Sequence, residues 1–462
     1  MLSSHRLYFI QYMICCCTLL SCNKQAFLDK KPSTDIFIPT TLEDFQALLD
    51  NDSYMGESPI IGELSADNYY LLHPYWQTLP AKERNSYIWA ADIYEGVGKV
   101  EDWNTPYKQV FYANVVLEGL NKLPMTSNNE KEWKAIKGAA LFIRGYAFYN
   151  IAQLFAPVYN SVTAGSDKGI PLRLTPDLEG ISVRSTVLQT YNQLLSDLKE
   201  ASQLLPGPIA FNNRNRPSRP AAMAMLARVY LSMSAYQQAG VYADSCLQLY
   251  NTLINYNILN PSTSIPFVPL NAETIYQNRL LSGIPVLSGL FVPSCIVDSL
   301  LYRSYAVNDL RRDLFYFLNA DKLPNTKGSY NGTVFPFSGL ATDEVYLIRA
   351  ECFARAENVV AAMNDLNVLL LNRWKTGTFI PFTATTASEA LQKILEERRK
   401  ELAFRGLRWT DLRRLNKEGA NITLRRNLNG QPFQLLPGER RYVLPIPPDV
   451  INLTGMEQNP RN

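Results

Sequence analysis

Glu396-Glu397-Arg398-Arg399-Lys400-Glu401-Leu402-Ala403-Phe404-Arg405-Gly406-Leu407-Arg408-Trp409-Thr410-Asp411-Leu412-Arg413-Arg414 is the stretch from which the fold is most readily read. Its pattern is a helix that ends near Gly406, whose missing Cβ permits a left-handed cap, followed at once by a second helical turn. Glu397 and Glu401 share a face of the first helix, and the interleaved arginines offer both carboxylates nearby partners. Seven basic residues in 19 suggest a nucleic-acid stripe only until the four acids between them are counted. The better reading is a structural network of ion pairs that pins the last helices of the chain.

Upstream of this stretch the chain is helical in the same sense. Periodic apolar residues run from Tyr107 to Leu123, from Trp133 to Phe155 through Ile136, Ala140, Ile143, Ala147 and Ile151, and from about Thr186 to Leu205. Leu42, Phe45, Leu48 and Leu49 form a shorter pattern, with Thr41 and Asp44 placed as a capping box. Between Pro220 and Tyr250 two short helices carry small residues at their crossing. The arrangement recurs 121 residues later: Leu226-Ala227-Arg228 answers Leu347-Ile348-Arg349, Ala235 answers Ala356, Asp244 answers Asp365 and Leu249 answers Leu370. A unit of about 34 residues with paired helices resembles the tetratricopeptide pattern, in which each hairpin buries its apolar face on its neighbours. Residues 60–100 and 251–342 break into short Gly-, Pro- and aromatic-rich segments, read as long irregular loops. The fold expected is therefore all-α.

At the other end, an apolar run from Leu7 to Thr18 precedes Leu19-Leu20-Ser21-Cys22. It has the parts of an export leader, with an apolar core too short to span a bilayer. The placement of Cys22 resembles a bacterial lipoprotein signal. That resemblance implies diacylglyceryl transfer to the Cys22 thiol, cleavage before it and acylation of its amine. Two or more acyl chains, at about 0.8 kcal/mol per buried methylene, anchor a protein stably. Of seven cysteines, Cys15, Cys16 and Cys17 leave with the leader, and Cys246, Cys295 and Cys352 stand far apart in no metal-binding spacing. A formal charge of +3 with 19% charged residues shows no bias toward nucleic acid. The composition stands out in its 11% of aromatic residues, with 26 tyrosines and 6 tryptophans.

The charged stretch is similar to the E-x-R-R-x-E-L-x-x-x-G-x-R-W-x-D-L-x-R signature of the SusD/RagB family, nutrient-binding outer-membrane lipoproteins of the Bacteroidetes. Other segments extend the resemblance over nearly the whole chain: Phe27-Leu28-Asp29-Lys30-Lys31-Pro32, Trp103-Asn104-Thr105-Pro106-Tyr107 with Ala113-Asn114, and Arg144-Gly145-Tyr146-Ala147-Phe148-Tyr149. Ile348-Arg349-Ala350-Glu351, Leu444-Pro445-Ile446-Pro447 and Gln458-Asn459-Pro460 complete it. Arg405 departs from it, standing where an acid is common. The resemblance implies a superhelix with four tetratricopeptide-like hairpins and an irregular ligand-binding face. It divides the chain into a signal peptide (1–21), a lipidated linker (22–32), an N-terminal region (33–215) and a C-terminal region with the repeats (216–462). It also implies a location on the outer membrane facing the cell exterior, and capture of an oligosaccharide or peptide for a SusC-like TonB-dependent receptor. Neither catalysis nor a cofactor is implied.

The residues agree on the lack of ordinary catalytic machinery. After leader removal one histidine remains, His73, so no HExxH motif and no paired-histidine metal site exists, and Gly96-Val97-Gly98 lacks the rest of a phosphate loop. Aromatic rings stack on sugar faces while presenting a polar edge, which makes loop aromatics the ligand-binding candidates. These are Tyr69, Tyr70, Tyr75 and Trp76 in one irregular segment and Phe291, Tyr302 and Tyr305 in another. Trp89, Trp103 and Trp409 are expected in the core. Two rival readings stay open at this stage, a scaffold that binds only protein partners and a surface hydrolase that uses a pair of carboxylates.

Overall fold

The computed structural model describes residues 39–461 except Ala210. The leader, Cys22 and the linker read from the sequence lie outside the described residues. The longer helices are α1 (Glu101–Lys122), α2 (Glu130–Phe155), α3 (Val187–Leu204), α4 (Arg219–Ser232), α5 (Tyr236–Leu249), α6 (Thr342–Arg355), α7 (Val359–Leu371), α8 (Ala387–Glu401) and α9 (Arg408–Lys417). Among the described residues every sheet has two strands. None of the described helices is long and apolar enough to cross a membrane. The helical fold class expected from the periodicity is the one observed.

Helix α2 is central because it can be approached from both sides. It packs on α1 and on α3, and a Cβ at Gly145 would come within 2.9 Å of the Leu198 side chain on α3. Arg144, the preceding residue, donates to both oxygens of Asp197 on α3 at 2.8 and 2.7 Å and to Asn114 Oδ1 on α1 at 2.9 Å. The polar residues of two sequence motifs thus meet inside a three-helix layer. Helix α3 opens with a capping box in which Thr186 and Gln189 exchange hydrogen bonds, and the shorter helix Leu42–Leu49 opens with the box formed by Thr41 and Asp44. The chain's end closes this layer: Leu444 N donates to Leu154 O, and Asn459 Nδ2 donates to Phe155 O and Leu444 O.

The repeat exists, but in another register. Hairpins α4/α5 and α6/α7 each turn through three residues, and the middle residue of each turn, Ser234 and Glu357, has φ of +60°. These residues are 123 apart, not 121, so the correspondence inferred from side-chain identities is slipped by two. At 3.6 residues per turn a slip of two rotates a side chain by about 200°, which explains why Arg228 and Arg349 do different things. Arg228 is buried and pairs with Glu344 at 2.8 and 2.6 Å. Arg349 reaches Asp365 at 2.8 Å and Asp244 at 2.7 Å, tying α6 to α7 and α5.

The charged stretch forms α8, a turn through Phe404 and Gly406 with φ of +61° and +73°, and α9. It is a buried ion-pair network, with partners farther away than its own arginines. Glu397 and Glu401 share Arg311, at 2.6 and 2.9 Å, and Glu401 also receives Arg373 at 2.7 Å. Of the stretch's own cations, Lys400 pairs with Glu397 at 2.7 Å and Arg398 and Arg414 with Asp411, while Arg405 reaches Asp343, Arg408 reaches Asp67 and Arg414 also reaches Glu351. Arg405, the departure from the family pattern, is stacked over Tyr330 and Phe337 at 4.4 and 4.9 Å.

Candidate ligand-binding face

The region expected to be irregular is built from short helices and one strand pair that brings the two aromatic segments together. Strand β1 (Tyr69–Leu71) runs antiparallel to β2 (Cys295–Val297), with Tyr70 opposite Ile296. Side chains alternate across a strand, so Tyr69 and Leu71 point into a hydrophobic cluster while Tyr70 faces outward, half-buried. Burial pushes the Tyr70 hydroxyl pKa up, and Ser299 and Asp298 lie beside it. The chain continues from β1 into the helix His73–Thr78, on which the His73 and Trp76 rings stack at 5.9 Å. Trp76 is held by its indole N–H, which donates to Arg84 O at 3.0 Å. Tyr75, Trp76 and Tyr302 are half-buried and rest on the same cluster.

Phe291 stands 62% exposed, next to the buried Val292 of that cluster. The turn that presents it requires glycine: a Cβ at Gly289 would sit 2.4 Å from Thr326 N. Thr326 ends β4 (Pro324–Thr326), which pairs with β3 (Tyr316–Leu318), and Asn325 beside it donates to Cys295 O of β2 at 2.6 Å. Helix α8 reaches this face directly, since Arg399 donates to Asp67 O at 2.9 Å and to Asp298 Oδ1 at 3.2 Å. Arg408 grips the Asp67 carboxylate at 2.6 and 2.8 Å. Despite burial, these arginines hold the Asp67 pKa well below the usual carboxylate range. The charged stretch therefore anchors the base of the aromatic face.

Two of the seven candidates are corrected by the structure. Tyr69 is buried, its hydroxyl donates to Leu64 O at 2.7 Å, and its ring tilts against Tyr87 at 5.6 Å. Tyr305 is buried as well, with its hydroxyl donating to Lys400 O at 2.7 Å and 3.1 Å from that of Tyr316. Alternation along a strand decides the first, and a main-chain acceptor on α8 the second. Tyr70, Tyr75, Trp76, Phe291 and Tyr302 keep accessible surface. Trp89, Trp103 and Trp409 lie in the core as expected.

Sequence reasoning missed one neighbouring feature. Ile284 rests on the same cluster as Tyr75 and Trp76 and also lines a cleft of about 300 Å³ with Tyr54, Glu57, Lys82 and Lys108. Tyr54 stacks on Tyr112 at 5.4 Å, and the Lys108 ammonium lies 4.9 Å from the Tyr54 ring centre. Lys108 and Tyr112 are one helical turn apart, a signal present in the sequence but indistinguishable there from any surface pair. Among the described residues no group of three or more His, Cys, Asp or Glu side chains is placed to hold a metal ion.

The architecture is a scaffold of helical hairpins carrying a partly exposed aromatic face, and comparison with known proteins gives its family. Residues 26–231 match the family described as "Starch-binding associating with outer membrane", and residues 326–461 match the SusD family. The chain belongs to the SusD/RagB family. It is similar to SusD-like protein P2 of Formosa agariphila, with 24% identity over 78% of this chain and 79% of that protein. Among solved structures it resembles a SusD superfamily protein from Bacteroides thetaiotaomicron, with TM-score 0.74 and 23% identity over 91% of this chain and 100% of the other. A laminarin-binding SusD-like protein matches with TM-score 0.61 and 18% identity over 90% of this chain and 98% of that one.

Proposed function

We propose that this protein is a cell-surface nutrient-binding lipoprotein that captures an oligosaccharide on the face formed by Tyr70, Tyr75, Trp76, Phe291 and Tyr302. It then passes the ligand to a SusC-like TonB-dependent receptor. The observation that carries the reading is the β1/β2 pairing, which joins two aromatic segments from distant parts of the sequence on one surface. A glycan is favoured over a peptide because a family relative of the same fold is described as laminarin-binding, and because half-buried rings with polar edges suit sugar faces. In this reading Cys22 carries the lipid anchor, the protein faces the cell exterior, and no step of chemistry is performed on the ligand. The tether keeps the binding face near its receptor at high effective concentration.

Isothermal titration with laminarin and starch oligosaccharides, beside a peptide digest, tests the ligand class. Trp76→Ala is expected to abolish glycan binding while the fold persists. Binding of peptides alone, or release of products on long incubation, would overturn the reading.

A further inference from the structure

A cavity of about 340 Å³ opens between the end of α2, helix α9 and the last segment of the chain. That size lies within the range of small-molecule sites, about 300–1,000 Å³. Its walls are of two kinds. Tyr442, Val443 and Pro460 supply an apolar surface, while Arg413, Lys417 and Arg440 bring positive charge. The acid that lines it, Glu439, is engaged by Arg441 at 2.7 and 2.5 Å and by Leu436 N at 2.7 Å.

Arg413 and Lys417 are held by neutral acceptors. Arg413 is buried and donates to Gln153 O and Ala156 O at the end of α2, where the helix dipole is negative. Lys417 donates to Tyr159 O at 2.9 Å. No described carboxylate bonds or pairs with either. The adjacent Arg414, by contrast, has Glu351 at 2.6 and 2.8 Å and Asp411 at 2.8 Å. Burial pushes the Arg413 pKa down to about 10, as expected of a cation that has left water without gaining an anion; partial burial also lowers that of Lys417, with the neighbouring Glu418 acting against it. The Tyr442 ring is fixed from behind by Trp409, 4.9 Å away, and forms a rigid wall.

We propose that this cavity is a second binding site, separate from the aromatic face, for a small carboxylate carried on a six-membered ring. The carboxylate is drawn to Lys417 and Arg413, and the ring lies against Tyr442 and Pro460. A uronic acid sugar and a benzoate-like acid share this chemistry. A charge-assisted hydrogen bond and the lack of a paired carboxylate at the buried Arg413 favour the anion, and the apolar wall selects a ring over a bare ion.

The test is titration of the full chain at low salt with sodium glucuronate, sodium benzoate, glucose and sodium sulfate. Saturable binding of glucuronate or benzoate in the millimolar range, absent with glucose and weaker with sulfate, is the expected result; the better of the two acids identifies the source. Lys417→Glu is expected to weaken that binding more than tenfold and Lys417→Met less, both with unchanged melting, because Lys417 is exposed. Arg413→Lys keeps the charge but loses the fork and weakens binding as well. Trp76→Ala leaves it unchanged, which separates this site from the aromatic face. No saturable binding of either acid, equal binding of glucose or sulfate, or indifference to Lys417→Glu would overturn the proposal.

Discussion

The α8–turn–α9 segment and the aromatic face touch through Arg399, yet they are built on opposite terms. In and around the first, Arg311, Arg373, Arg398 and Arg414 are buried and each is matched to one or more carboxylates. In the second, rings are left half-covered, and the one strong side-chain tether of Trp76 is a hydrogen bond to a carbonyl. The difference teaches where this molecule places its rigidity: beneath the proposed binding surface, not within it. A buried charge is tolerable only when its partner is fixed, so the network specifies a single arrangement of segments far apart in the sequence, and the exposed rings inherit that order.

The comparison breaks most visibly if the network is cut. Arg311→Ala leaves Asp309, Glu397 and Glu401 without their shared cation. It is expected to cost about 3–5 kcal/mol, the usual range for removing one partner of a buried pair, measured by urea unfolding. A loss below about 1 kcal/mol would mean the acids find other partners. A smaller effect, on the order of 1–3 kcal/mol, concerns Glu63, which accepts from Gly406 N and Asn68 Nδ2 at 2.9 and 3.0 Å. Burial raises its pKa from 4.5 to about 7. The folded chain then holds a proton that the unfolded chain releases, so this group's contribution to stability falls as pH rises from about 4.5 to about 7 and is level above. Glu63→Gln should gain on the parent across that window, seen in paired melts at pH 5 and pH 8; an advantage that shrinks with rising pH would contradict it. The smallest effect on stability belongs to Phe291→Ala, within about 0.5 kcal/mol for an exposed side chain, with glycan affinity falling several-fold. A large drop in melting temperature would return Phe291 to a structural role.

How much of this was legible in the sequence follows the same division. Helix existence, the Thr41/Asp44 capping box and the pinning role of the charged stretch are local or compositional facts, and period and spacing reveal them. The cation that Glu397 and Glu401 share is not, because Arg311 lies 86 and 90 residues away. The repeat was visible through similar side chains, but its register was set by the left-handed residues Ser234 and Glu357, neither of which is a glycine that would have marked the turn. At the candidate face, clustering of aromatics was readable. Which ring faces inward was not, since the parity of Tyr69 and Tyr70 depends on a strand too short to show alternation on its own.

The pairing of Tyr69–Leu71 with Cys295–Val297 has a consequence for the timing of function. Contacts so remote in the chain close late, because the intervening polymer must be ordered first. A polypeptide emerging from a ribosome or a secretion pore carries no assembled aromatic platform until nearly two thirds of it has appeared. The proposed binding face is thus incomplete while the chain is in transit and exists only in the finished fold.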